Sequence, residues 1–155
     1  MTPEILFSHA NTVAIIGWLL LILGPRQFAW FNVIPLWIIP TGLSAVYTAL
    51  IFSRFASSGG GFDSLENVMI LMSNQWVMLA GWVHFLAFDL FVGAFIAARM
   101  DRVGVGRLVQ ASILGTIFML GPLGFLIAGL TELGLRTRAI LTQTRVFKGK
   151  PNVSV

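Results

Sequence analysis

Residues 76–99 read WVMLAGWVHFLAFDLFVGAFIAAR, a run apolar enough to cross a bilayer that nevertheless carries a histidine and an aspartate near its middle. Ionisable groups are costly in hydrocarbon: an Asp at mid-membrane costs roughly 2.5–3.5 kcal/mol even on lenient insertion scales. Such a residue normally faces a protein interior, finds a partner and marks a functional site. His84 and Asp89 are therefore the leading catalytic candidates. A merely structural alternative for Asp89 is an interhelical hydrogen bond to Ser44 or Thr116.

The rest of the chain has the same character. Of its 155 residues, 57% are hydrophobic and 10% charged, and mean hydropathy is +0.88, whereas a soluble domain carries about a quarter charged residues. Apolar runs of the length a bilayer core requires fall at about 5–23, 31–52, 76–98 and 111–133. The prediction is an all-α integral membrane protein, a four-transmembrane-helix antiparallel bundle forming a single membrane domain over 1–155 with a basic tail at 134–155. The first run lacks a basic leader region and a convincing cleavage site, so it reads as a retained helix.

Composition also excludes chemistry. There is no cysteine, which removes thiolate catalysis, disulfides and cysteine-ligated clusters. HExxH, phosphate-loop and GxSxG signatures are absent too, so neither a metal site nor a cofactor is predicted. Arg136, Arg138, Arg145, Lys148 and Lys150 account for much of the net charge of +4. Without interleaved aromatics they suit anionic lipid headgroups and not a nucleic acid.

Punctuation is clear along the chain. Gly24-Pro25-Arg26 stops helix one, and Pro35 and Pro40 interrupt helix two, where Trp30 and Trp37 suit an interfacial belt. Ser57-Ser58-Gly59-Gly60-Gly61 reads as a loop, followed by Asp63 and Glu66 at capping-box spacing, so a helix is expected from about Ser64. Its pattern fits either a short interfacial helix that acts as a lid or the start of one long tilted span. Pro122 predicts a kink in helix four.

Antiparallel threading brings His9, Asn11, Tyr47, His84 and Glu132 into the half of the bilayer nearest the termini, with Asp89 deeper, and predicts one shared cavity. Five positions separate His84 from Asp89, so on a regular helix they point about 140° apart and each should meet a neighbouring helix or flank a ligand. Trp18, Trp82, Phe85 and Phe88 are added as ligand-lining candidates with a slot for a long conjugated molecule in view. Glu132 also has Arg136 four residues on, the spacing of a helix-surface ion pair. The charge count leans slightly toward cytoplasmic termini.

Gly17-Trp18-Leu19-Leu20 with Gly24-Pro25-Arg26, Trp82-Val83-His84 leading into Asp89-Leu90-Phe91, and Gly121-Pro122-Leu123-Gly124 resemble the ABA DEFICIENT FOUR-like membrane proteins, whose plant members are associated with neoxanthin synthesis from violaxanthin. The resemblance implies a carotenoid or xanthophyll substrate and a non-redox isomerisation, in which an epoxide oxygen is protonated while a neighbouring carbon loses a proton. Low dielectric favours uncharged groups, so Asp89 would serve as the acid and His84 as the base. With no plastid transit extension before helix one, a bacterial inner-membrane member is expected. Its partners would be membrane lipids and a lipophilic small molecule, with self-association left open. Two other classes compete: a small b-type haem protein ligated by His9 and His84, and a non-enzymatic carotenoid or lipid carrier.

Overall fold

The computed structural model describes residues 1–148, with side chains as far as residue 141. The cations Arg145, Lys148 and Lys150 of the expected tail patch lie outside the described side chains. All regular structure among the described residues is helical, and four stretches are long and apolar enough to cross a membrane: Pro3–Leu23, Ala29–Ser57, Gln75–Arg102 and Arg107–Leu141. The chain divides into two compact units, one spanning Met1–Phe95 and the other beginning at Ile96.

In the first unit, α1 (Pro3–Leu23) starts at Thr2, whose hydroxyl accepts from the Ile5 amide, and has Pro3 in its first turn, where a missing amide is harmless. It stops at Gly24, as the sequence predicts. Arg26 Nε donates to the Leu21 carbonyl at 3.1 Å, and Asn32 Nδ2 donates to the Arg26 carbonyl at 2.7 Å. These bonds satisfy carbonyls that the helix end and turn would otherwise leave open.

The second apolar run is a composite of α2 (Ala29–Val33), a π-helical turn over Ile34–Ile38, and α3 (Ile39–Arg54). Pro35 lies inside the widened turn and Pro40 just after it. Each removes an amide donor, so the helix continues by re-registering its hydrogen bonds, as Ile39 N does to Ile34 O.

A separate short helix, α4 (Leu65–Ser73), precedes the third long helix. Its start falls where the spacing predicts, but the cap is Ser64, accepting from the Asn67 amide at 3.1 Å, while Asp63 binds the Asn67 side chain. Gly60, at φ +71°, lies so close to the α4 backbone that a Cβ would sit 2.7 Å from Leu71 N, so only glycine fits there. Asn74 then breaks the helix and caps α5 (Gln75–Arg102) through Oδ1, which accepts from Trp76 N and Val77 N. The region is thus a separate short helix and not the start of one long one.

Small residues allow these helices to approach. Ala10 and Ala14 of α1, Leu43 and Leu50 of α3, and Ala80, Val83 and Ala87 of α5 belong to one buried cluster. A Cβ on Gly17 would stand 2.5 Å from Leu90, and one on Gly93 would stand 2.5 Å from the Trp18 ring. Without a hydrophobic drive between helices in lipid, this close packing is the main source of association.

The second unit departs from the expected simple kink. α6 (Arg107–Lys148) loses helical geometry at Leu120, with φ −142° and ψ 63°. Beyond that residue the chain doubles back. A Cβ on Gly124 would lie 2.7 Å from Ile117 Cα, although residues seven apart on a straight helix are about 10 Å apart. Sequence predicts a kink at Pro122; the structure has a hairpin turning two residues earlier. Proline is well suited to the first turn of a helix, and here it begins the returning arm instead of bending a continuous one. The arms are 107–119 and 121–148.

Steric exclusion at the crossing predicts that Gly124→Ala loses about 1–3 kcal/mol, because the atoms it meets include Ile117 backbone. Gly115→Ala, with open space around its Cβ, is expected to be neutral or mildly stabilising. Thermal unfolding of both variants in detergent checks the contrast.

Candidate functional site

His84 projects from α5 into an aromatic cluster. Its ring stacks on Phe88 at 4.6 Å between centroids, tilts against Tyr47 of α3 at 5.4 Å, and meets the edge of Phe85 at 6.2 Å. Further along, Trp37 of the π-helical turn packs edge-on against Phe91 at 5.7 Å. The pairs Tyr47 with His84 and Trp37 with Phe91 follow opposite orders along their two segments. The rings consequently form a track of about 15 Å, the rise between residues 37 and 47.

A cavity of about 240 Å³ opens along this track, walled by Leu36, Trp37, Pro40, Thr41 and Ser44 on one side and Ala87, Phe88 and Phe91 on the other. Thr41 and Ser44 are the polar side chains of an otherwise apolar wall. The π-helical turn contributes Leu36 and Trp37 to it.

Asp89 follows Phe88 directly. It is half-buried and has no hydrogen-bond or ion-pair partner among the described residues. Thr116, one expected structural partner, donates its hydroxyl to the Ser112 carbonyl at 3.0 Å. The Asp89 carboxyl interacts electrostatically with the His84 imidazole five residues earlier.

The other candidates disperse. Asn11 and Trp82 come together: the indole Nε1 donates to Asn11 Oδ1 at 3.0 Å, the Asn11 amide donates to the Phe7 carbonyl at 2.8 Å, and the Phe7 ring lies 5.6 Å from Trp82. Phe7 and Trp82 also line a cavity of about 350 Å³, with Glu4 of α1, Met72 and Ser73 of α4, and Met78 of α5. The expected lid helix thus forms part of a wall. A double-mutant cycle with Asn11→Ala and Trp82→Phe should return a coupling of about 1 kcal/mol in thermal unfolding, the usual net worth of such a bond.

His9 is exposed and lines a third space, about 340 Å³, against Ile38, Ile39, Gly42 and Val46. His84 is not among the residues around that space. Trp18 is buried against Gly93 and acts as packing. Glu132, with its side chain 12% exposed, accepts from Arg99 Nε at 2.9 Å and Arg99 Nη2 at 2.7 Å, and pairs with Arg136 at 2.6 Å. The spacing to Arg136 is visible in sequence; the bidentate Arg99 is not.

Sequence reasoning also missed Trp37, Phe91, Thr41 and Ser44 as groove residues. Only the proline pair around the π-helical turn signals them, and that signal does not say which face the turn presents.

A family model described as ABA DEFICIENT 4-like matches residues 5–127. The chain belongs to that family. At family level, the ABA DEFICIENT 4-like assignment makes it a carotenoid-related or xanthophyll-related membrane protein. The matched region includes α1 to α5 and the hairpin tip of α6. No curated protein and no solved structure matches significantly.

Proposed function

We propose that this ABA DEFICIENT 4-like protein is a membrane-embedded, non-redox isomerase that binds a carotenoid in the groove between the Ile34–Arg54 segment and α5. The observation that carries this reading is the ring track from Trp37 and Phe91 through Phe88 to His84 and Tyr47, opening on an apolar cavity with two hydroxyl groups. Flat aromatic faces suit a flat conjugated chain, and the Thr41 and Ser44 hydroxyls suit an oxygenated end group.

In the proposed reaction the Asp89 carboxylic acid gives its proton to the epoxide oxygen as a carbon–oxygen bond opens. His84 takes a proton from a neighbouring carbon. Oxygen gains one proton and carbon loses one, so the product is an isomer and no electrons are transferred. Solvent exchange or proton return through the product hydroxyl restores both groups. Such positioned acid–base pairs contribute through correct protonation and reach.

The test is pigment analysis of carotenoid-producing cells with and without the gene, combined with extraction of whatever pigment co-purifies. Appearance of an isomeric product only in the presence of the gene supports the isomerase. Unchanged pigment bound to the purified protein, with no product in the cells, replaces it with a carrier. A haem absorption band that shifts on reduction would overturn both.

A further inference from the structure

We propose that α6 is a re-entrant hairpin: it enters and leaves the bilayer on the face carrying Arg99, so the chain crosses three times and its two ends lie on opposite sides. The first arm, 107–119, is about 20 Å long, too short for a hydrocarbon core of about 30 Å. The return is equally constrained. A straight helix would carry Glu132 about 33 Å from Gln110, yet Glu132 holds the Arg99 guanidinium in a bidentate pair, and Gln110 Nε2 donates to Asp101, two residues beyond Arg99, at 2.7 Å. Those side chains together are too short to bridge such a gap.

The turn itself is built for hydrocarbon. From Ile117 to Leu130 no side chain is polar, and Met119 and Leu120 at the tip are 72% and 57% exposed. A helix connection in water would expose polar residues there. Its irregular backbone is confined to one residue, Pro122 has no amide to leave open, and Gly124 closes the arms against each other. This limits the unpaired backbone groups that lipid penalises.

Charge supplies an independent argument. If α6 crossed fully, Arg54, Arg136, Arg138 and Arg145 would share one side, with Arg26, Arg99, Arg102 and Arg107 on the other, an even division of the eight arginines. With a re-entrant hairpin, Arg54 is left alone with Glu4, Asp63 and Glu66, and the remaining seven arginines share the opposite side. That asymmetry is what the positive-inside rule requires. It puts the Arg99 side in the cytoplasm, against its anionic headgroups, and the start of α1 outside. This reverses the orientation that four crossings favour.

The absence of cysteine makes the test direct. Single cysteines are introduced at Ser57, Gln27, Val103 and Thr137 in the full chain, and each variant is labelled with a membrane-impermeant maleimide in right-side-out and inverted vesicles. Normal yield and thermal unfolding of each variant establish that it folds. Thr137→Cys is expected to label together with Gln27→Cys and Val103→Cys in inverted vesicles, and Ser57→Cys in right-side-out vesicles. Labelling of Thr137→Cys together with Ser57→Cys, or from neither side, overturns the hairpin topology. Labelling of all the Arg99-side positions from outside overturns the orientation.

Discussion

Asp89→Asn and His84→Gln are each expected to lower carotenoid isomerisation by about 10²–10⁴-fold, the usual worth of one positioned acid or base. Both substitutions keep size and hydrogen-bonding capacity while removing the proton chemistry, so the folded protein and its bound pigment should persist. The two residues interact electrostatically with each other. Asp89 has no hydrogen-bonding partner among the described residues, and the contacts of the His84 ring are aromatic faces and edges. The measurement is product formed per unit of protein in membranes, with pigment binding followed separately. Full conversion by both variants removes these residues from the chemistry. Retained binding with lost conversion separates proton transfer from substrate recognition. Combined, the two substitutions should cost little more than either alone, because the proposed mechanism has the acid and base serving a single step.

The second large effect concerns packing. Trp18→Ala is expected to destabilise the protein by about 3–5 kcal/mol, the range for truncating a buried aromatic. The ring is 4% exposed and lies in the space left by Gly93. Gly93→Ala attacks the same contact from the other helix, since its Cβ would meet three atoms of the indole, the nearest at 2.5 Å. Its cost should be smaller, about 1–3 kcal/mol from overpacking. The two are expected to be non-additive: with Trp18 already truncated, the added methyl fills part of the cavity, so the double variant should be more stable than the sum of the single losses implies. Thermal unfolding in one detergent, at one protein concentration, measures all three. An additive result would mean that the ring does not depend on Gly93 for its place.

These two experiments separate roles that composition alone merges. Trp18 and Trp82 both read as ring-bearing candidates for a ligand slot, and Glu132 reads with His9 and His84 as part of one polar layer. In the structure, Trp18 fills an interhelical gap, Trp82 donates to Asn11, and Glu132 binds two arginines. The groove is lined by Phe88, which the sequence reading names as ligand-lining, and by Trp37 and Phe91, which it does not. Side-chain type marks which groups are expensive in a membrane, but their partners come from other helices, far away in sequence.

Sequence by itself determined the helical class, the four long apolar stretches, the stop at Gly24, the start of α4 and the two ionisable groups in the middle of α5. These follow from chain-local physics: hydropathy over the length of a bilayer, missing amides at proline, and caps that act within a turn. Tertiary structure alone decided that Pro35 lies inside a π-helical turn with Pro40 just after it, that His84 meets Tyr47, and that α6 doubles back at Leu120. A proline says that the hydrogen-bond ladder must change there. Whether the chain then bends, widens or reverses depends on what the freed turn can pack against, and for α6 that is Gly124 on Ile117 and Glu132 on Arg99.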